Sequence, residues 1–279
     1  MRVVRAAYAG ACYGVQRALD LALKAVEDGG RVYTLGPLIH NPQVVAQLAE
    51  RGVRAVDGVE DVAGAGTVVI RSHGVTPAVK RSVAACGLPL VDATCPHVAR
   101  AQRAAADLAE QGRHVVAVGE AGHPEVEGLV ACAREAGASV SVVAGPDDLP
   151  DTLDGPVGVV VQTTQTREVL DAVVAALAQR GVQLLVKNTI CFATRQRQEA
   201  AAALADEVDA IVVIGGRNSS NTSRLADICA AACPRTRHIE SPDEIDPAWL
   251  AGCGAVGVTA GASTPEGQID AVAAFLEAL

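Results

Sequence analysis

Short apolar runs recur along this chain, each ending in a turn rich in Gly, Pro, His, Ser or Thr and followed by a stretch with helical spacing of apolar residues. The pattern predicts a helix over 15–27, a strand over 31–35, a helix over 43–51, a strand at Val68-Val69-Ile70, a short helix after Pro77 and a strand over 88–91. A second round predicts helices over 98–111, 125–134 and 169–179, with strands over 114–118, 157–161 and 183–186. A third predicts helices over 195–206, 223–232 and 266–279 and strands over 210–214 and 255–258. Strands alternating with helices make consecutive βαβ units, so the expected class is α/β. The third round lacks its last strand, and the segment 2–7 at the start of the chain is expected to supply it. The expected units are therefore 13–95, 96–190, and 191–279 together with 1–12.

The turns repeat as well. Cys12, Cys95 and Cys191 are each followed 28 positions later by a polar side chain on a turn, namely His40, His123 and Ser219. Repetition at this scale points to one supersecondary unit used three times. Ligands in open α/β sheets bind beyond the carboxyl ends of the strands, where all these turns are expected to lie.

Composition narrows the chemistry. The chain has 279 residues, half of them hydrophobic but only 2% aromatic, which allows a large aliphatic core and leaves few platforms for stacking bases. A net charge of −9 argues further against nucleic acid, whose backbone demands a basic surface. Arg5 interrupts the first apolar run, which is too short for a signal peptide's core or a membrane span, so a soluble cytoplasmic chain is expected. Eight cysteines are too dilute for a disulfide scaffold, leaving metal binding, catalysis or packing as their roles.

The three recurring cysteines fall just after strands and near helix starts, where the helix dipole favours the thiolate. Their wide separation is unlike a zinc ribbon or a ferredoxin. Three such thiolates suit a 4Fe-4S cluster with one open iron, free to act as a Lewis acid. Cys229 and Cys233 share a helix face but lie among apolar residues, and they are assigned to the core, as are Cys86, Cys132 and Cys253. His40, His73 and His123 occupy strand-to-helix turns, where imidazolium groups and helix amides make a phosphate site. Asn218 to Asn221 and Ala260 to Ser263 offer neutral donors at the equivalent turns of the third unit. Pro124 fits a first helical position, which directs Glu125 toward the strand ends and turns Glu127 about 200° away. A carboxyl group there, partly desolvated beside an anion, suits a general acid.

Over essentially its whole length the sequence resembles the 4-hydroxy-3-methylbut-2-enyl diphosphate reductase family, also called IspH or LytB. The resemblance lies in Cys12-Tyr13-Gly14-Val15, His40-Asn41-Pro42, Ser72-His73-Gly74-Val75, Asp92-Ala93-Thr94-Cys95-Pro96, Ala121 to Gly128, Gln162-Thr163-Thr164, Ile190-Cys191, Asn218 to Asn221 and Val258 to Ser263. It implies a trefoil of three pseudo-threefold-related α/β units around a 4Fe-4S cluster held by Cys12, Cys95 and Cys191. It also implies an allylic diphosphate anchored by His40, His73, His123, Ser219, Ser220, Asn221 and Ser263. Electrons would arrive singly from ferredoxin or flavodoxin, Glu125 would supply a proton, and Thr163 would position the hydroxyl and relay that proton. Two positions depart from the family's usual pattern: Tyr13, where a small residue is expected, and Asn188-Thr189, where an acidic one is.

Two other readings compete. A quinolinate-synthase-like dehydratase also resembles a threefold, three-cysteine assembly, but its acid substrates call for arginines rather than this His and Ser set. A non-catalytic iron-sulfur sensor or electron carrier would need a partner surface or a nucleic-acid face that the composition does not provide.

Overall fold

A computed structural model of the chain describes residues 1–62, 64, 66–153 and 155–279. Among these, twelve strands form three four-stranded sheets in which every pairing is parallel. Strand β1 (Arg2–Arg5) is followed by β2 (Val32–Leu35), β3 (Val53–Val56), β4 (Thr67–Ile70) and β5 (Leu90–Asp92), of which the last four make one sheet in the order β3-β2-β4-β5. Next come β6 (His114–Val118), β7 (Val140–Val143), β8 (Val157–Val161) and β9 (Leu184–Lys187), ordered β7-β6-β8-β9. The last sheet takes β10 (Ala210–Ile214), β11 (Thr236–Ile239) and β12 (Ala255–Ala260), with β1 as its fourth member, in the order β1-β12-β10-β11. All three sheets thus share one order, second-first-third-fourth in their own sequence. The expected loan of the N-terminal segment is what completes the third, with Arg2 to Arg5 in register with Ala255 to Val258.

The helices are α1 (Tyr13–Glu27), α2 (Pro42–Glu50), α3 (Pro77–Ala85), α4 (Pro96–Glu110), α5 (Pro124–Glu135), α6 (Arg167–Gln179), α7 (Phe192–Ala205), α8 (Ser220–Ala232) and α9 (Glu266–Glu277). The chain divides into two compact units. One comprises Met1–Val15, His40–Val44 and Phe192–Leu279 and contains the sheet completed by β1; the other comprises Gln16–Ile39 and Val45–Cys191 and contains the remaining two sheets. None of the helices is long and apolar enough to cross a membrane, among the described residues.

The central strands are almost wholly buried and mostly apolar because helices cover both faces, the usual condition of a parallel sheet. On β10, Ala210, Val212 and Ile214 pack toward Ile269, Val272 and Leu276 of α9, while Ile211 and Val213 pack toward Ala201, Leu225 and Cys229 of α7 and α8. On β8, Val157, Val159 and Val161 meet Leu170, Val173 and Leu177 of α6, and Val160 meets the α4–α5 side with Leu108 and Leu129. Each fully buried side chain of this size contributes about 1.5–3 kcal/mol. Helices α4 and α7 also come close to their sheets over glycines at matching strand positions. A Cβ on Gly158 would stand 2.8 Å from Leu108, and one on Gly257 3.0 Å from Leu204.

The pattern did not reveal β3, β7 and β11, which occupy the same edge of the three sheets. They are four-residue strands with polar or charged members such as Arg54, Ser141 and Arg237. Their pairing with β2, β6 and β10, rather than a local apolar run, makes them strands. The cysteines outside the recurring trio are mostly packed as expected. Cys229 and Cys233 are in the α7–α8 core, and burial pushes the Cys229 thiol up to about 12, with the neighbouring Cys233 adding to the rise. Cys86 is the correction: the C-terminal end of α3 leaves it exposed.

Candidate active site

Each cysteine of the trio is the residue immediately before a helix: Cys12 before α1, Cys95 before α4 and Cys191 before α7. Each also makes the same backbone bond, donating its amide to the carbonyl two residues past the third strand of its sheet. Cys12 donates to Ala262 at 3.1 Å, Cys95 to Ser72 at 2.9 Å and Cys191 to Thr163 at 3.0 Å. The sequence repeat is therefore a repeat of local geometry, which fixes each thiol at the positive end of a helix where a thiolate is favoured. Among the described residues, no three His, Cys, Asp or Glu side chains are gathered as a ready single-ion site.

The turn leading to Cys95 is closed by Asp92, whose Oδ1 accepts the Thr94 amide at 2.9 Å; in the next sheet Asn188 does the same for Ile190 at 3.0 Å. The departure at Asn188 thus keeps the turn and removes only a charge. Burial alone would push the Asp92 carboxyl up, but hydrogen bonds from Thr94 and Lys80 outweigh it and hold the group below its ordinary value. A depressed folded-state pKa means stability that is complete at neutral pH and is lost as the pH falls below about 4 and through the folded value. Asp92→Asn is expected to abolish that acid sensitivity and keep the turn, whereas Asp92→Ala should cost about 0.5–1 kcal/mol, low because the group is half exposed. Urea unfolding of both variants at neutral and acid pH checks this.

In the second unit the turns after β4 and β6 bring His73 and His123 together, edge to face with ring centres 5.8 Å apart. His123 caps α5: its Nδ1 accepts the Glu125 amide at 3.1 Å, which leaves Nε2 as the ring nitrogen available to a ligand. Pro124 is the first residue of α5, as anticipated. Glu125 is 1% exposed, while Glu127 on the other side of the helix is exposed. Thr163 holds the Glu125 carboxylate twice: its amide donates to Oε1 at 2.6 Å and its hydroxyl to Oε2 at 2.8 Å. Since the Thr163 carbonyl accepts the Cys191 amide, a single residue connects the candidate acid to a candidate metal ligand.

In the first unit the turns after β10 and β12 meet the His40 segment. The Ser263 hydroxyl donates to the His40 carbonyl at 3.0 Å, and Asn41 Nδ2 donates to the Ser263 carbonyl at 3.0 Å. A Cβ on Gly216 would come within 2.7 Å of the His40 carbonyl, so only glycine permits this approach. Ser219 caps α8, accepting the Thr222 amide, and Ser219, Ser220 and Asn221 are all buried. Both polar atoms of the Asn221 side chain are shut away from solvent without a hydrogen-bond partner. A buried amide left so costs about 1–3 kcal/mol, which a ligand's oxygens would recover.

Two residues had no signal in the sequence. Arg197 is buried on α7 and donates from Nε and Nη2 to the Gly10 carbonyl at 3.0 and 2.7 Å, clamping the segment that ends in Cys12. Nothing in the spacing separates it from exposed Arg195 two positions earlier. Gln102, buried on α4, lies against Gly74 beside His73 and against Gly128 in the helix of Glu125.

Comparison with known proteins bears on this arrangement. The model of the family described as "LytB protein" matches residues 3–277. The 4-hydroxy-3-methylbut-2-enyl diphosphate reductase of Citrifermentans bemidjiense is 50% identical over 272 residues, 98% of this chain and 95% of the relative. That of Geobacter sulfurreducens is 48% identical over 275 residues, again 98% and 95%. A solved (E)-4-hydroxy-3-methyl-but-2-enyl diphosphate reductase, the terminal enzyme of the non-mevalonate pathway, is 42% identical with a TM-score of 0.73 and full coverage of both chains. The E-1-hydroxy-2-methyl-but-2-enyl-4-diphosphate reductase of Plasmodium falciparum shares the fold, with a TM-score of 0.91 over all of this chain and 87% of that one at 23% identity. The chain belongs to the LytB family of 4-hydroxy-3-methylbut-2-enyl diphosphate reductases.

Proposed function

We propose that the chain is an oxidoreductase acting in the cytoplasm, and that it converts 4-hydroxy-3-methylbut-2-enyl diphosphate to isopentenyl and dimethylallyl diphosphate, the last step of the methylerythritol phosphate route. The observation that carries this reading is the Thr163 junction, where one residue grips a buried carboxylate and accepts the amide of a cysteine. With units 13–95, 96–190 and 191–279 with 1–12, Cys95 closes the first, Cys191 follows the end of the second and Cys12 closes the segment 1–12 of the third, each just after the fourth strand of a sheet. A 4Fe-4S cluster on Cys12, Cys95 and Cys191, one iron lacking a protein ligand, would supply electrons from ferredoxin or flavodoxin and a Lewis acid for the substrate hydroxyl.

The chain's own groups supply the rest. By the family resemblance, His40, His73, His123, Ser219, Ser220, Asn221 and Ser263 bind the diphosphate. Asn221, with two buried and unanswered polar atoms, fits this role, and His123 contributes its Nε2. The donors are neutral or histidine groups, which suits phosphate oxygens; a dicarboxylate would call for arginines, against the dehydratase reading. Thr163 orients the substrate hydroxyl and relays the proton that Glu125 supplies, a buried carboxyl group beside the anion site suiting a general acid.

Gly216→Ala tests the phosphate side. A methyl group against the His40 carbonyl is expected to destabilise by about 1–3 kcal/mol and to raise KM more than it lowers kcat. Steady-state kinetics with a melting curve checks it. The function itself is tested by anaerobic turnover of the hydroxylated diphosphate with reduced viologen. Conversion to the two isomers supports the reading, and cluster-loaded protein that leaves the substrate unchanged removes it.

A further inference from the structure

We infer that the groove between α4 and the end of β9 is the docking surface for an acidic protein that carries electrons one at a time. The groove, about 420 Å³, is lined by Arg100, Arg103, Asp107, Lys187, Asn188 and Thr189, all within the second unit. Its three cations face one carboxylate on a chain whose net charge is −9. The ion pairs of the described residues engage Arg5, Lys80, Arg81, Arg167, Arg195 and Arg217, and leave Arg100, Arg103 and Lys187 unneutralised. Arg100 and Arg103 are neighbours on one helix face, where like charges repel. An anionic partner removes that cost.

The position favours a redox partner. Helix α4 begins at the residue after Cys95, and β9 ends four residues before Cys191, so the groove lies between elements that lead to two of the proposed ligands. Arg100 stands only about 7–8 Å along the helix axis from Cys95. Asn188 holds its turn as Asp92 does in the neighbouring sheet, where a carboxylate serves equally well; the amide keeps negative charge out of the groove. A small anion would need buried donors, and these arginines are exposed while the Thr189 hydroxyl is occupied with the Val161 backbone. Exposed, long cationic side chains steer a charged protein instead.

This inference rests on the reductase reading. Each turnover takes two electrons and two protons into the substrate and releases one water as the C–O bond breaks, so a one-electron carrier must dock twice. The test compares turnover of cluster-loaded enzyme driven by reduced ferredoxin with turnover driven by reduced methyl viologen, in wild type and in the variant Arg100→Glu/Arg103→Glu/Lys187→Glu. The variant is expected to raise the ferredoxin KM about tenfold or more and to flatten its salt dependence, with viologen turnover within about twofold. A milder triple Gln variant should fall between, which controls for misfolding of the charge reversal. Unchanged ferredoxin kinetics would overturn the docking surface, as would loss of inorganic diphosphate binding without any change in ferredoxin kinetics. If wild type turns over with neither donor, the reductase reading itself fails, a different result from either.

Discussion

Glu125→Gln is expected to lower kcat by about 10²–10⁴-fold, the usual worth of a positioned general acid, while iron content and substrate binding stay near wild type. The substitution is close to isosteric. The glutamine carbonyl can still accept the Thr163 amide, and the Thr163 hydroxyl can turn to accept from the new NH₂ group, so the buried pair remains satisfied. Only the transferable proton is lost. Rapid-quench measurement with a pre-reduced cluster separates the proton step from electron delivery, and near-normal single-turnover rates would exclude Glu125 as the acid. Thr163→Ala is the companion variant. It removes one of the two bonds to the carboxylate but keeps the amide, so its loss should be smaller than that of Glu125→Gln.

Replacing any one of Cys12, Cys95 or Cys191 by serine is expected to be as severe, for a different reason. Each thiol occupies the same place, ahead of a helix with its amide tied to the neighbouring strand's turn, so none has a spare to substitute for it. A serine leaves that backbone bond intact and should fold, but it offers iron a poor ligand. The expected result is a melting temperature close to that of wild-type apoprotein, loss of most of the iron, and no measurable turnover. Cys229→Ser provides the contrast: it places a hydroxyl in the α7–α8 core and should reduce stability without removing iron. If Cys229→Ser lost the iron and Cys95→Ser kept it, the assignment of ligands would be wrong.

What the sequence made legible was whatever repeats. Runs such as 114–118 and 210–214 coincide with β6 and β10 because a strand covered on both faces must be apolar along its length. The polar turns after them were legible as well, since a spacing shared by three units exposes positions that no single motif would. The edge strands β3, β7 and β11 were hidden because their partners, not their own residues, make them strands. Arg197 and Gln102 were hidden because their roles depend on packing between segments far apart in sequence, Gly10 with α7 and Gly74 with α4. Exposed Cys86 shows the converse limit, since a cysteine in an Ala-rich helix looks the same whether it faces the core or water. The capping role of His123 was hidden too: only the helix geometry shows that Nδ1 is an acceptor.

The central claim is that three helix-capping cysteines hold a cluster with one iron open to the substrate. Iron and sulfide analysis of anaerobically reconstituted protein, with EPR of the reduced form before and after addition of the hydroxylated diphosphate, tests it most directly. About four iron and four sulfide per chain, and a cluster signal that changes when the substrate is added, are the predicted results. Protein that remains colourless and iron-free, or a cluster signal indifferent to the substrate, would contradict the account.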